Sequence, residues 1–135
     1  MRAPGFMLLP LVALLVACAP VPPRVSMADR DPLRQAVVAD VVEGLSEVFD
    51  PASTPLVPAH PPGGAFDTAL AAAMRARGFP MDVAPGRGKD FDCRVDPVEG
   101  SMYRVTARVG KTTLSRLWVL DGADAYAGGA WARRE

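Results

Sequence analysis

Cys18 has the most distinctive chemical setting in this chain. It closes an apolar run from Phe6 to Val16 that is broken only by Pro10, and Arg2 supplies a positive charge ahead of the run. A basic start, a short apolar stretch and small residues at the exit make a secretory signal. The run is too short for a spanning helix, which needs roughly 20 apolar residues. Leu15-Val16-Ala17-Cys18 resembles the bacterial lipobox, with cleavage between Ala17 and Cys18 and the Cys as the new, diacylated N-terminus. A Cys is needed there because its thiolate alone among common side chains is nucleophilic enough to take a thioether-linked diacylglycerol. The plainer alternative is a Cys next to an ordinary cleavage site. At ~0.8 kcal/mol per buried methylene, several acyl chains on Cys18 anchor stably where one would be marginal. The expected organisation is a signal peptide over 1–17, a lipidated Cys and Pro-rich tether over 18–30, and a folded domain over 31–135, held at a membrane without spanning it.

Other reactive residues are sparse. With Cys18 lipidated, Cys93 is the sole remaining thiol and no intramolecular disulfide can form. A lone Cys in an oxidising compartment can be a reactive thiol, an intermolecular staple or a small buried hydrophobe. The alternation of Phe91, Cys93 and Val95 with Asp92, Arg94 and Asp96 favours the buried reading, inward on a strand. His60, the only histidine, sits beside Pro61 with no Cys or His at metal-ligand spacing. Gly110-Lys111-Thr112-Thr113 lacks the glycine a phosphate-binding loop needs five positions earlier, where Val105 stands, and β-branched residues follow it. It reads as a hairpin turn of type II′. Asp90, Asp92, Asp96 and Glu99 do not follow the calcium-loop pattern. None of Ser26, Ser46, Ser53, Ser101 and Ser115 lies in a glycine-flanked nucleophile elbow. The sequence thus offers no catalytic constellation and no metal site, calls for no cofactor, and is read as non-enzymatic.

Removing residues 1–17 of 135 leaves 118, enough for one small domain. The chain carries 15 basic and 15 acidic residues, and this balance gives no electrostatic basis for binding nucleic acid. The charges are unevenly placed. Asp29, Asp31, Asp40, Glu43, Glu47 and Asp50 make the first third acidic, while Arg104, Arg108, Lys111, Arg116, Arg133 and Arg134 make the last third basic. This pattern fits solvated element faces, and it could also guide a partner.

Several elements must position these residues. Three prolines within Ala19–Ser26 favour an extended tether. Asp31-Pro32 starts a helix of about four turns, with Leu33, Val37, Val41, Leu45 and Val48 on its apolar face, Gly44 as a weak spot and Asp50-Pro51 as its stop. Residues 50–64 form a proline-rich loop with at most a short strand at Thr54–Ala59. A second helix is expected over Ala65–Arg77, capped by Gly78, and a strand over Phe79–Val83 at an edge because of Pro80. Strands at Phe91–Val95, Met102–Val109, Thr112–Leu120 and Ala125–Arg133 complete an antiparallel meander. The fold class is α+β, a small single domain with two helices on one face of a mostly antiparallel sheet of four to five strands. Tyr103, Trp118, Tyr126 and Trp131 lie in the strand region. Trp118 is expected in the core. Trp131 and Tyr126, with Arg133 and Arg134, are candidates for docking a partner.

The segments Phe66-Asp67 to Arg77-Gly78-Phe79, Met102-Tyr103-Arg104-Val105, Thr113-Leu114-Ser115-Arg116 and Gly129-Ala130-Trp131-Ala132-Arg133-Arg134-Glu135 resemble the TrbH family of conjugal transfer lipoproteins, which accompany the mating-pair formation (type IV secretion) apparatus. Cys93 and the proline-dense loop at 55–62 fall outside the resemblance. It implies a structural or assembly component whose partners are membrane lipid, through acylated Cys18, and core-complex subunits of the apparatus, without direct contact to nucleic acid. Ala19 after the lipidated Cys, where an Asp would retain the protein at the inner membrane, implies an outer-membrane anchor with the domain in the periplasm. The alternative is a generic envelope lipoprotein that binds a periplasmic ligand or a cell-wall component.

Overall fold

The computed structural model describes residues 31–135. The expected signal peptide with Ala17, the expected lipidation site Cys18 and the expected tether lie outside the described residues. Helix α1 (Asp31–Val48) leads through a single 3-10 turn (Pro51–Ser53) to β1 (Leu56–Pro58) and α2 (Ala65–Arg77); β2 (Lys89–Glu99), β3 (Met102–Val109), β4 (Thr112–Asp121) and β5 (Asp124–Arg134) follow. The sheet order is β1-β2-β3-β4-β5; β1 runs parallel to β2, and every other pair is antiparallel. The fold is α+β with five strands, as the sequence predicts.

The α1 stripe is wider than the predicted heptad-like seam. Val38 and Val42 are buried beside Leu33, Val37, Val41 and Leu45, because α1 packs against both the sheet and α2. Its many β-branched residues have modest helix propensity, so tertiary burial holds the helix together. Helix α2 buries Phe66, Leu70 and Met74. It ends in a Schellman motif: Gly78 N–H donates to Arg75 O, and Phe79 N–H donates to Met74 O at 3.1 Å, with both Phe79 and Met74 in the core.

One face of the sheet carries the core. Phe91, Val105, Ala107, Val109, Leu114 and Trp118 are buried, and register places them across from one another. None of the alternate residues Arg104, Thr106, Arg108, Thr113, Ser115, Leu117 and Val119 is buried, so the helices cover a single face. The β3–β4 turn has positive φ at Gly110 (57°) and at no non-glycine residue, which fits type II′.

The expected strand at Phe79–Val83 is a correction. This segment is irregular, and one backbone bond, Leu56 N–H to Pro80 O at 2.8 Å, ties it to β1. Its apolar alternation reflects burial of Phe79 and Met81 over the core. Pro80 has no N–H to offer a ladder. The edge strand beside β2 is β1 instead. The second difference is β2 itself, which runs on from Val95 to Glu99 with a bulge between Pro97 and Glu99.

Candidate functional site

The most organised polar cluster joins α1 to the end of the meander. Asp40, on the polar face of α1, accepts from Arg116 Nη1 at 2.6 Å and from Trp118 Nε1 at 3.2 Å. Arg116 and Asp40 are each only about one-fifth exposed (23% and 18%), so this is a sheltered pair, and removing one partner costs more than breaking a surface ion pair because the other charge is left uncompensated. Arg116 reaches the far strand as well. Its Nε donates to Gly129 O at 2.8 Å, and its guanidinium lies 5.8 Å from the centroid of the Trp131 ring.

Local sequence explains how Trp131 arrives there. Between Ser115↔Ala132 and Leu117↔Gly128 the register shifts, so β5 carries extra residues opposite Arg116. Gly129, at φ 98°, takes the left-handed conformation this bulge requires. The bulge brings the half-buried Trp131 against α1, where a β-carbon on Gly44 would lie 2.6 Å from the indole Nε1. The helix glycine that looks like a weak spot in sequence is therefore the seat of an aromatic ring. The missing signal was its pairing with Gly128-Gly129-Ala130-Trp131, which only tertiary structure brings together.

The other candidates occupy different places. Tyr126 is half exposed (52%) on the open face of the sheet, in a row with Val119 and Met102. Arg134 shares that face, opposite Thr113 and one strand from Arg108, while Arg133 pairs with Glu135. Arg133, Arg134 and Arg104 border a shallow hollow with Thr113 and Ser115. The sheet thus separates Trp131, held against α1, from the solvent-facing Tyr126 and Arg134.

Cys93 is half-buried and packs against the core. Burial pushes its thiol up to about 12, with the Asp92 and Asp67 carboxylates adding to the rise, so the nucleophilic thiolate is suppressed. It borders a cleft of about 200 Å³ between α2 and β2, floored by Leu70, Met81 and Phe91 and rimmed by His60 and Asp67. Among the described residues, no group of three or more His, Cys, Asp or Glu could hold a metal ion, and no helix is long and apolar enough to cross a membrane.

A family model for conjugal transfer protein TrbH matches residues 21–135. The chain belongs to the TrbH family. The match spans every described element, from α1 with its Asp40 and Gly44 to the terminal Trp131 and Arg134. The TrbH match therefore covers both partners of the α1–β5 contact and leaves Cys18 outside its bounds. No curated protein and no solved structure matches the chain.

Proposed function

We propose that this TrbH-family protein is a non-enzymatic lipoprotein of the outer membrane that supports assembly of the conjugal transfer apparatus from the periplasmic side. The family match over residues 21–135 carries the reading. The lipobox-like Leu15-Val16-Ala17-Cys18 supports the anchor, and Ala19 supports the outer-membrane destination. One feature of the fold agrees with an assembly role: the Asp40–Arg116–Trp131 cluster fixes α1 to the sheet as one body. Its partners are then membrane lipid, through Cys18, and other subunits of the apparatus. Deleting the gene in donor cells and restoring it in trans tests the reading: transfer frequency is expected to fall and recover, and unchanged transfer in the deletion overturns it.

A further inference from the structure

Strand β2 is only partly covered on its outer side. Gly110 N–H donates to Asp90 O, so the even-numbered residues of β2 turn their backbone groups toward β3. The odd-numbered residues face outward. There Lys89 N–H donates to Pro55 O, and Phe91 O accepts from Ala59 N–H at 2.8 Å. Strand β1 ends at Pro58, and Pro61 and Pro62 follow, so the chain leaves the sheet at this point. Among the described residues, the outward N–H and C=O groups of Cys93 and Val95 then have no strand beside them. Pro97, which has no N–H, closes the open stretch.

This bare edge lies beside a groove. At the β1 end is the 200 Å³ cleft with its apolar floor. The groove continues past Cys93 and Val95 along the start of α2 as a second hollow of about 310 Å³, bordered by Gly63, Gly64 and Phe66. Its charge is uneven: Asp67, Asp92 and Asp96 border the two hollows against one cation, Arg94, which is 3.6 Å from Asp92. The other long edge differs. Strand β5 is broken by the Gly129 bulge and ends on Arg133 and Arg134, both features that discourage pairing.

We propose that the open edge of β2 takes up an extended, cationic segment of a partner protein as a short added strand. The partner strand bonds to the outward groups of Cys93 and Val95, sets an apolar side chain into the cleft between α2 and β2, and places Lys or Arg near Asp67 and Asp96. This deepens the assembly reading, on which the identity of the partner as an apparatus subunit rests, by naming where and how that subunit is held.

The test uses the full-length protein in detergent and an eight-residue peptide alternating Val and Lys. Amide NMR is expected to show saturable shifts and slowed hydrogen exchange at Cys93 and Val95. N-methylation of the peptide amides that face β2 should abolish both effects, and an alternating Val and Glu peptide should bind at least tenfold more weakly. Val95→Pro removes an outward donor without removing a bond to β3, and should lose binding while β2–β3 amides stay protected. Should that variant not fold, Asp67→Lys with Asp96→Lys should weaken binding at least tenfold. The proposal is overturned by no saturable change at these amides with millimolar peptide, by equal binding of the Glu peptide, or by shifts located on β5. It is also overturned if the edge is already protected in a concentration-dependent dimer, which would make the occupant a second copy. The titration needs no transfer apparatus, so its failure is distinguishable from a failed mating test.

Discussion

Gly44 of α1 and Trp131 of β5 are in direct contact, with 2.6 Å between a β-carbon built on the glycine and the indole Nε1. In an open helix, Gly→Ala gains roughly 0.5–1 kcal/mol from reduced backbone entropy in the unfolded chain. Here the methyl group displaces the ring. Gly44→Ala is expected to destabilise the domain by about 1 kcal/mol in urea denaturation, and in a Trp131→Ala background the same change should stabilise it. Stabilisation in both backgrounds would show that the contact has no energetic weight.

Asp40 is the acceptor for two donors on β4, and its loss leaves the Trp118 N–H unpaired and strips Arg116 of its carboxylate, with Gly129 O as its remaining hydrogen-bond acceptor. Asp40→Ala is expected to cost about 2–3 kcal/mol, measured by the same denaturation. The Asp40→Ala/Arg116→Ala double variant should lose less than the sum of the two singles. Glu43 offers a control in the same helix. Its ion pair with Arg77 is 3.6 Å long between half-exposed side chains, so Glu43→Ala should change stability by no more than about 0.5 kcal/mol.

Cys93 should be slow to alkylate. With burial pushing its thiol up to about 12, the thiolate at pH 8 is far scarcer in the folded protein than in the unfolded chain. Iodoacetamide labelling of the folded protein should therefore lag far behind labelling in urea and keep rising with pH above 10. The linkage sign follows. Between pH 9 and 12 the folded state holds the proton that the unfolded state has released, so this group makes stability fall as pH rises, by at most about 1.4 kcal/mol per pH unit. Rapid labelling at pH 8 would contradict the suppressed thiolate.

Much of the fold was legible in local patterns. Helix α2 announced itself through Phe66, Leu70, Met74 and the Gly78 cap, and the β3–β4 hairpin through the alternation of Tyr103, Val105, Ala107 and Val109 ahead of the Gly110-Lys111 turn. What failed depended on distant residues. The alternation Phe79-Met81-Val83 imitates a strand, yet only tertiary structure shows that its period tracks burial without a ladder. The parallel pairing of β1 with β2 joins residues more than thirty positions apart, and the three residues of β1 carry too short a pattern to specify it. The two halves of the α1–β5 contact were each visible, Gly44 as a weak spot and Trp131 as an aromatic near the terminus, but nothing local links them. The place of the open edge on β2 likewise depends on distant residues, since among the described residues it arises where β1 stops at Pro58.

Lipid anchoring predicts a specific covalent state. The mature protein isolated from donor membranes should begin at Cys18 and carry diacylglycerol plus an amide-linked acyl chain, read as a mass far above that of the unmodified residues 18–135. An unmodified chain starting elsewhere would contradict the lipobox assignment.

Conjugal transfer is proposed to need this domain held at the outer membrane through Cys18, and the transfer frequency of donors carrying Cys18→Ser tests that dependence most directly. The expected result is transfer as low as in the deletion strain, with the protein still present at wild-type abundance. Wild-type transfer frequency from Cys18→Ser donors would contradict it.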